Sequence, residues 1–171
     1  MNAPTLTIRT LTEHDVDAFR AMRLHAAVDT PFAIVPTHEE ESRWTREENL
    51  ARVRETDQQA VFGAFDGDTL IGITGWRREQ REKFAHKSLV WGVFVDPAYR
   101  RTGIARRLLE SAIARAKASG VEQVQLSVGA QNPRAQTLYS SLGFEIYGRE
   151  PRAMRIDGQY FDEELMVLML D

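Results

Sequence analysis

Apolar and polar residues alternate over Leu6–Leu11, the rhythm of a half-buried strand. The spacing then changes. Val16, Phe19, Met22 and Ala26 recur at helical intervals behind Thr12 and a cluster of acids, which predicts a helix capped by Thr12. After a loop bounded by Pro31 and Pro36, the segment from Thr37 to Glu55 again opens on Thr and acids, and it reads as a second helix. Two apolar runs flanking Asp66–Gly67 predict a hairpin. A polar stretch, residues 78–87, follows as an exposed connection. Ser88–Val95 is almost wholly apolar, as expected of a central strand buried on both faces.

Ile104, Leu108, Ala112 and Ala116 form the stripe of a further helix that Gly120 ends. Val121–Val128 is another strand. Asn132 caps a short helix with Pro133 in its first turn and Gly143 as its stop. Two last strands surround an Asp157–Gly158 turn. The predicted order is strand, two helices, three strands, helix, strand, helix, two strands. This mixture of hairpins and strand–helix–strand units belongs to the α+β or mixed α/β class. No repeat or linker interrupts it, so one domain is expected over residues 6–171.

Composition adds exclusions. The 171 residues are 43% hydrophobic and 27% charged, ordinary for a water-soluble globular domain. There is no cysteine, so disulfides, thiolate metal sites and cysteine nucleophiles are ruled out. His14, His25, His38 and His86 show no metal-ligand spacing, and no metal is expected. The N-terminal stretch has no basic start followed by an apolar core, and no apolar run approaches membrane-spanning length. A cytoplasmic protein without a membrane or nucleic-acid partner is the expectation. The net charge of −3 means that any anion site must be local.

One segment supplies that local charge. Arg100, Arg101, Arg106 and Arg107 lie where the apolar strand gives way to a helix, around Gly103. The first N–H groups of a helix lack internal partners and carry the positive end of its dipole. Gly103 and Ala105 permit close backbone approach, and arginines add charge-assisted bonds to phosphate oxygens. A diphosphate cradle is one reading; a basic, solvated helix start is the other. Neither the GxxxxGK[ST] nor the GxGxxG nucleotide pattern is present.

Arg100-x-x-Gly103-x-Ala105 resembles the pyrophosphate loop of the GNAT superfamily of acyl-CoA-dependent N-acetyltransferases. Asn132-Pro133-Arg134-Ala135-Gln136-Thr137-Leu138-Tyr139, followed by Leu142-Gly143-Phe144, resembles that family's second segment. The element order is similar from about Leu6 to Leu170. The resemblance implies a central, mostly antiparallel sheet of six to seven strands flanked by helices, with acetyl-CoA as cosubstrate. It implies that Val93, Phe94 and Val95 offer backbone groups to the pantetheine arm. Arg100, Arg101, Thr102, Gly103, Ile104, Ala105 and Arg106 would serve the pyrophosphate. Asn132 would lie near the pantetheine, and Tyr139 near the sulfur as general acid. A splay between Ser88–Val95 and Val121–Val128 is implied, with Gly92 either relieving crowding or packing. A homodimer is possible on the same ground.

The implied reaction is direct attack of an amine on a thioester. An amine of lysine-like pKa is neutral only about once in a few thousand molecules at pH 7, so a base is useful. Many relatives carry a strand glutamate for this; here neither residues 87–95 nor residues 124–131 include an acid. Glu79, Glu82, His86 or a water held by Ser127 remain candidates. Asp162, Glu163 and Glu164, with Glu39, Glu40 and Glu41, could attract a cationic amine, or they could be ordinary surface charge; for the second group, helix-dipole complement on a solvated surface is the main reading. Trp44, Trp76, Trp91 and Tyr160 could line an acceptor pocket, with core packing as the default. The sequence resembles small bacterial members of the family. The expected acceptor is a small-molecule amine; the alternatives are a protein N-terminal or lysine acetyltransferase and a non-catalytic acyl-CoA sensor.

Overall fold

The computed structural model describes residues 5–171. The first four, part of the stretch read above as no leader, lie outside it. Seven strands form one sheet: β1 (Leu6–Thr10), β2 (Gln59–Asp66), β3 (Thr69–Arg78), β4 (Lys87–Val95), β5 (Gln123–Gly129), β6 (Glu145–Ile156) and β7 (Gln159–Met169). Their spatial order is β1-β2-β3-β4-β5-β7-β6. Every pair is antiparallel except β4 with β5. The mixed α/β class and the seven-stranded sheet agree with expectation.

Helices α1 (Val16–Asp29), α2 (His38–Ser42) and α3 (Arg46–Val53) cover one face; α4 (Ile104–Ser119) packs on the other, and α5 (Pro133–Ser141) borders the same apolar cluster. The single second helix expected over residues 37–55 is two. Thr45 forms its own capping box, accepting from Glu48 N–H while the Glu48 carboxylate accepts from Thr45 N–H, so a new helix starts there. The first expected helix also begins later, because Glu13–Asp15 is a 3₁₀ turn. Asp157 and Gly158 both have positive φ, as a two-residue hairpin between β6 and β7 requires.

Two apolar cores lie on either side of the sheet. Trp76, Val90, Leu108, Leu109 and Leu126 belong to the α4 side. Phe19, Ile73 and Phe94 belong to the α1 side. The β4 strand reaches both through a bulge. Trp91 pairs with Gly75 and Phe94 with Ile73, so three residue steps on β4 face two on β3. Gly92 takes the extra place at φ +63°, a conformation that side chains disfavour. β4 is therefore not buried on both faces throughout, as its composition suggested: Leu89, Trp91, Gly92 and Val93 are half-buried.

The solvated reading of Glu39–Glu41 fails at Glu41, which is 0% exposed. It faces inward from α2 and accepts from Arg23 Nε and Nη2, both at 3.1 Å, and from Arg52 Nη1 at 2.7 Å. Burial alone would raise its pKa; the hydrogen bonds from the two guanidinium groups outweigh that and hold it below the usual carboxylate range. Replacing one member of a buried ion pair strands its partners without compensation. Glu41→Gln is expected to lower stability by about 3–5 kcal/mol, read from the shift of the urea unfolding curve.

Candidate active site

The parallel pairing of β4 and β5 lasts for three residue pairs, Lys87 with Gln123 through Leu89 with Gln125. Beyond Leu89 the strands part. The gap opens into a cavity of about 800 Å³ lined by Leu89–Val95 and Leu126–Gly129. The expected splay is thus present.

One end of this cavity is the start of α4. Gly103 sits at φ +82° with open space where a β-carbon would be. Arg101 also has positive φ, at 65°. The Arg107 N–H is the first to find a carbonyl, that of Gly103 at 3.1 Å. The N–H groups of Ile104, Ala105 and Arg106 precede it and have no intrahelical acceptor. Gly103, Ile104, Ala105 and Arg106 all line the cavity, as do Arg100 and Arg101. The local physics fits a diphosphate: exposed donors, a helix dipole and added positive charge.

The arginines divide their work. Arg100 Nε donates to the Val95 carbonyl at 3.0 Å, and its Nη2 meets Asp29 and Thr30. It ties the loop to β4 and to the end of α1, which holds the loop in place. Arg106 donates to Ser141 on α5. Thr102 does not line the cavity; its hydroxyl donates to the Tyr99 carbonyl and closes the turn.

Asn132, Leu138 and Tyr139 line the cavity from the α5 side. Asn132 caps α5, accepting from Ala135 N–H at 3.1 Å. Tyr139 is 8% exposed, and burial pushes its phenol up to about 12. It therefore stays protonated, and a donor, throughout the working pH range. Val93, Phe94 and Val95 line the cavity beyond the point where β4 has left β5, with the Val95 carbonyl taken by Arg100.

The α1 face of the gap carries different groups. Ser127 pairs with Leu165 and Gly129 with Glu163, so Ser127, Leu165 and Glu163 share the face opposite the α4 core. Glu163 lines the cavity, whereas Asp162 and Glu164, on the other side of β7, are held by Arg149. The acidic run is thus split by strand alternation, and one of the three acids reaches the site. Glu79, Glu82 and His86 are absent from the cavity wall; Ser127 is part of it. Of the four aromatic candidates only Trp91 lines it. Trp76 is fully buried in the core, Trp44 stacks under Arg52, and Tyr160 is exposed beneath Arg152 and Arg155. Phe32 and Ala33, from the loop after α1, complete the wall, and Phe32 meets Phe161 of β7 edge to face at 4.9 Å. The sequence reading missed Arg23 and the Phe32 loop, whose place depends on how α1 docks.

Among the described residues no group of acids and histidines is arranged to hold a metal, and no helix is long and apolar enough to cross a membrane.

The family model described as the acetyltransferase (GNAT) family matches residues 17–144. The mycothiol acetyltransferase of Brachybacterium faecium is 29% identical over 154 residues, covering 86% of this chain and 44% of its own. The N-alpha-acetyltransferase RimI of Mycobacterium tuberculosis is 40% identical over 97 residues, 56% of this chain and 58% of its own. The chain thus spans about half the length of these curated relatives. The solved structure of YncA from Salmonella typhimurium, which holds acetyl-CoA, superposes with a TM-score of 0.84 at 24% identity, covering 97% of this chain and 94% of its own. With the family model matched over residues 17–144, most of the sequence, the GNAT acetyltransferase family is the one to which this chain belongs.

Proposed function

We propose that the protein transfers an acetyl group from acetyl-CoA to the primary amine of a small molecule by direct attack. The observation that carries this reading is the cavity through the parted β4 and β5 strands, with unpaired α4 N–H groups at one end, Tyr139 in its wall and Glu163 on the opposite face. The amine nitrogen attacks the thioester carbonyl carbon, the C–S bond breaks, the thiolate takes up a proton, and the amine loses one to water or a base.

The chain's own groups divide these tasks. The N–H groups from Arg101 to Arg106 hold the diphosphate, and the backbone of Val93–Val95 pairs with the pantetheine arm as an added strand would. A backbone N–H near Phe94 or Val95 is the donor for the oxyanion. Tyr139 donates to the leaving sulfur. Glu163 favours a cationic amine at the mouth, and a water held by Ser127 is the route for its proton. Release of the CoA thiol measured across amino acids, polyamines, aminoglycosides and short peptides tests the assignment: turnover of free amines is expected. Saturation by peptides alone would support a protein N-terminal acetyltransferase, the reading that the 40% identity to RimI favours. CoA binding with no turnover at all would leave a sensor.

Tyr139→Phe is expected to lower kcat about 100-fold with acetyl-CoA affinity nearly unchanged, as read by steady-state kinetics and calorimetry. Because burial holds the phenol near 12, the wild-type kcat profile should show no descending limb from Tyr139 below about pH 11. Gly103→Glu places negative charge where the β-carbon site is open and forces a side chain into positive φ. It is expected to weaken CoA binding at least ~10-fold, with folding checked by circular dichroism.

A further inference from the structure

Arg23 projects from α1 to the floor of the cavity and is 3% exposed. Glu41 takes its Nε and Nη2. Its Nη1 has no hydrogen-bond partner among the described residues. That nitrogen lies beside the Gly92 bulge: a β-carbon on Gly92 would stand 2.9 Å from it. The absent side chain at residue 92 therefore leaves the room that Nη1 occupies, at the point where β4 has left β5. The guanidinium carbon is also 5.5 Å from the Trp91 ring centre, so the group is framed by an aromatic wall.

The charge around it does not balance. Glu41 is one carboxylate shared by two guanidinium groups, Arg23 and Arg52. Among the described residues no second acid pairs with either arginine, so the cluster carries one net positive charge beneath the cavity floor. The Nη1 donors open on the cavity without a protein acceptor among the described residues, and an anionic group entering there would balance the excess charge. Arg77 also lines the cavity, but it is exposed, and water competes for it. Glu163 on β7 faces the same side of the sheet.

We propose that Arg23 recognises a carboxylate on the acceptor, and that the acceptor is an amino acid with its amine turned toward the β4–β5 gap. This deepens the acetyltransferase reading and rests on it. Arg23 is here a specificity residue, held in position by Glu41 and by the space at Gly92. The bond is charge-assisted, and Glu41 and the Trp91 wall fix the direction in which the Nη1 donors meet it.

The test compares amino acids with their decarboxylated counterparts: L-lysine with cadaverine, L-phenylalanine with phenethylamine, and L-2,4-diaminobutyrate with 1,3-diaminopropane. Binding to the CoA-complexed protein is measured by calorimetry, so the result does not depend on turnover. At least one amino acid is expected to bind 10- to 100-fold more tightly than its amine, the range for one charge-assisted hydrogen bond. In Arg23→Lys, which keeps a cation for Glu41 but shortens the reach, that preference should collapse while affinity for the amine and for CoA is retained. No preference for any carboxylate in the wild type overturns the proposal, as does an equal loss on both members of a pair or a loss of CoA affinity in the variant. If Arg23→Lys does not fold, the wild-type comparison alone decides. Carboxylate-dependent binding without CoA release would refute the transferase reading and leave the recognition standing.

Discussion

The site depends on a limit to backbone pairing. β4 and β5 share three residue pairs and then separate, although both continue for several residues. Backbone donors and acceptors left in such a gap need partners, and an extended ligand arm can supply them. The Gly92 bulge contributes to this parting. It adds a residue to β4 relative to β3, bends the strand, and sends Trp91 and Phe94 to the same face. A continuous sheet at this place would bury the apolar run of β4 completely and leave no passage from one face to the other.

The two faces of the gap then acquire opposite chemistry from their coverings. The α4 side supplies unpaired helix N–H groups and arginines, a setting for phosphate. The α1 side supplies Ser127, Glu163, Trp91 and the end of Arg23. Arg100 joins the two sides mechanically, since its guanidinium reaches the β4 terminus and the last residue of α1 at once. A chain with a net charge of −3 thus concentrates positive potential where an anion would sit, without becoming basic as a whole.

The buried Arg23–Glu41–Arg52 cluster sits just outside this gap and gives α1, α2 and α3 a common anchor. Three charged groups in a core contribute little net stability compared with apolar packing. Their value is positional: they fix the angle at which α1 presents Arg23 to the cavity, and Trp44, Phe19 and Trp91 form the aromatic surround of Arg52.

The sequence by itself determined the local events. The capped helix at Asn132, the Asp157–Gly158 turn, the strand alternation at Leu6 and the glycine-centred start of α4 each depend on neighbours within a few residues, and each was legible. The break at Thr45 was equally local, but a continuous acidic, helix-forming composition hid it. The tertiary structure decided everything that required distant partners. Glu41 looked like surface because its neighbours Glu39 and Glu40 are surface; only the docking of α2 on α1 brings it to Arg23, eighteen residues away. Glu163 was indistinguishable from Asp162 and Glu164 until the register with β5 placed it on the opposite face. Arg23 carried no signal at all, because its place beside the cavity depends on the space left by a glycine sixty-nine residues further on, in a strand whose parting from β5 no local pattern encodes.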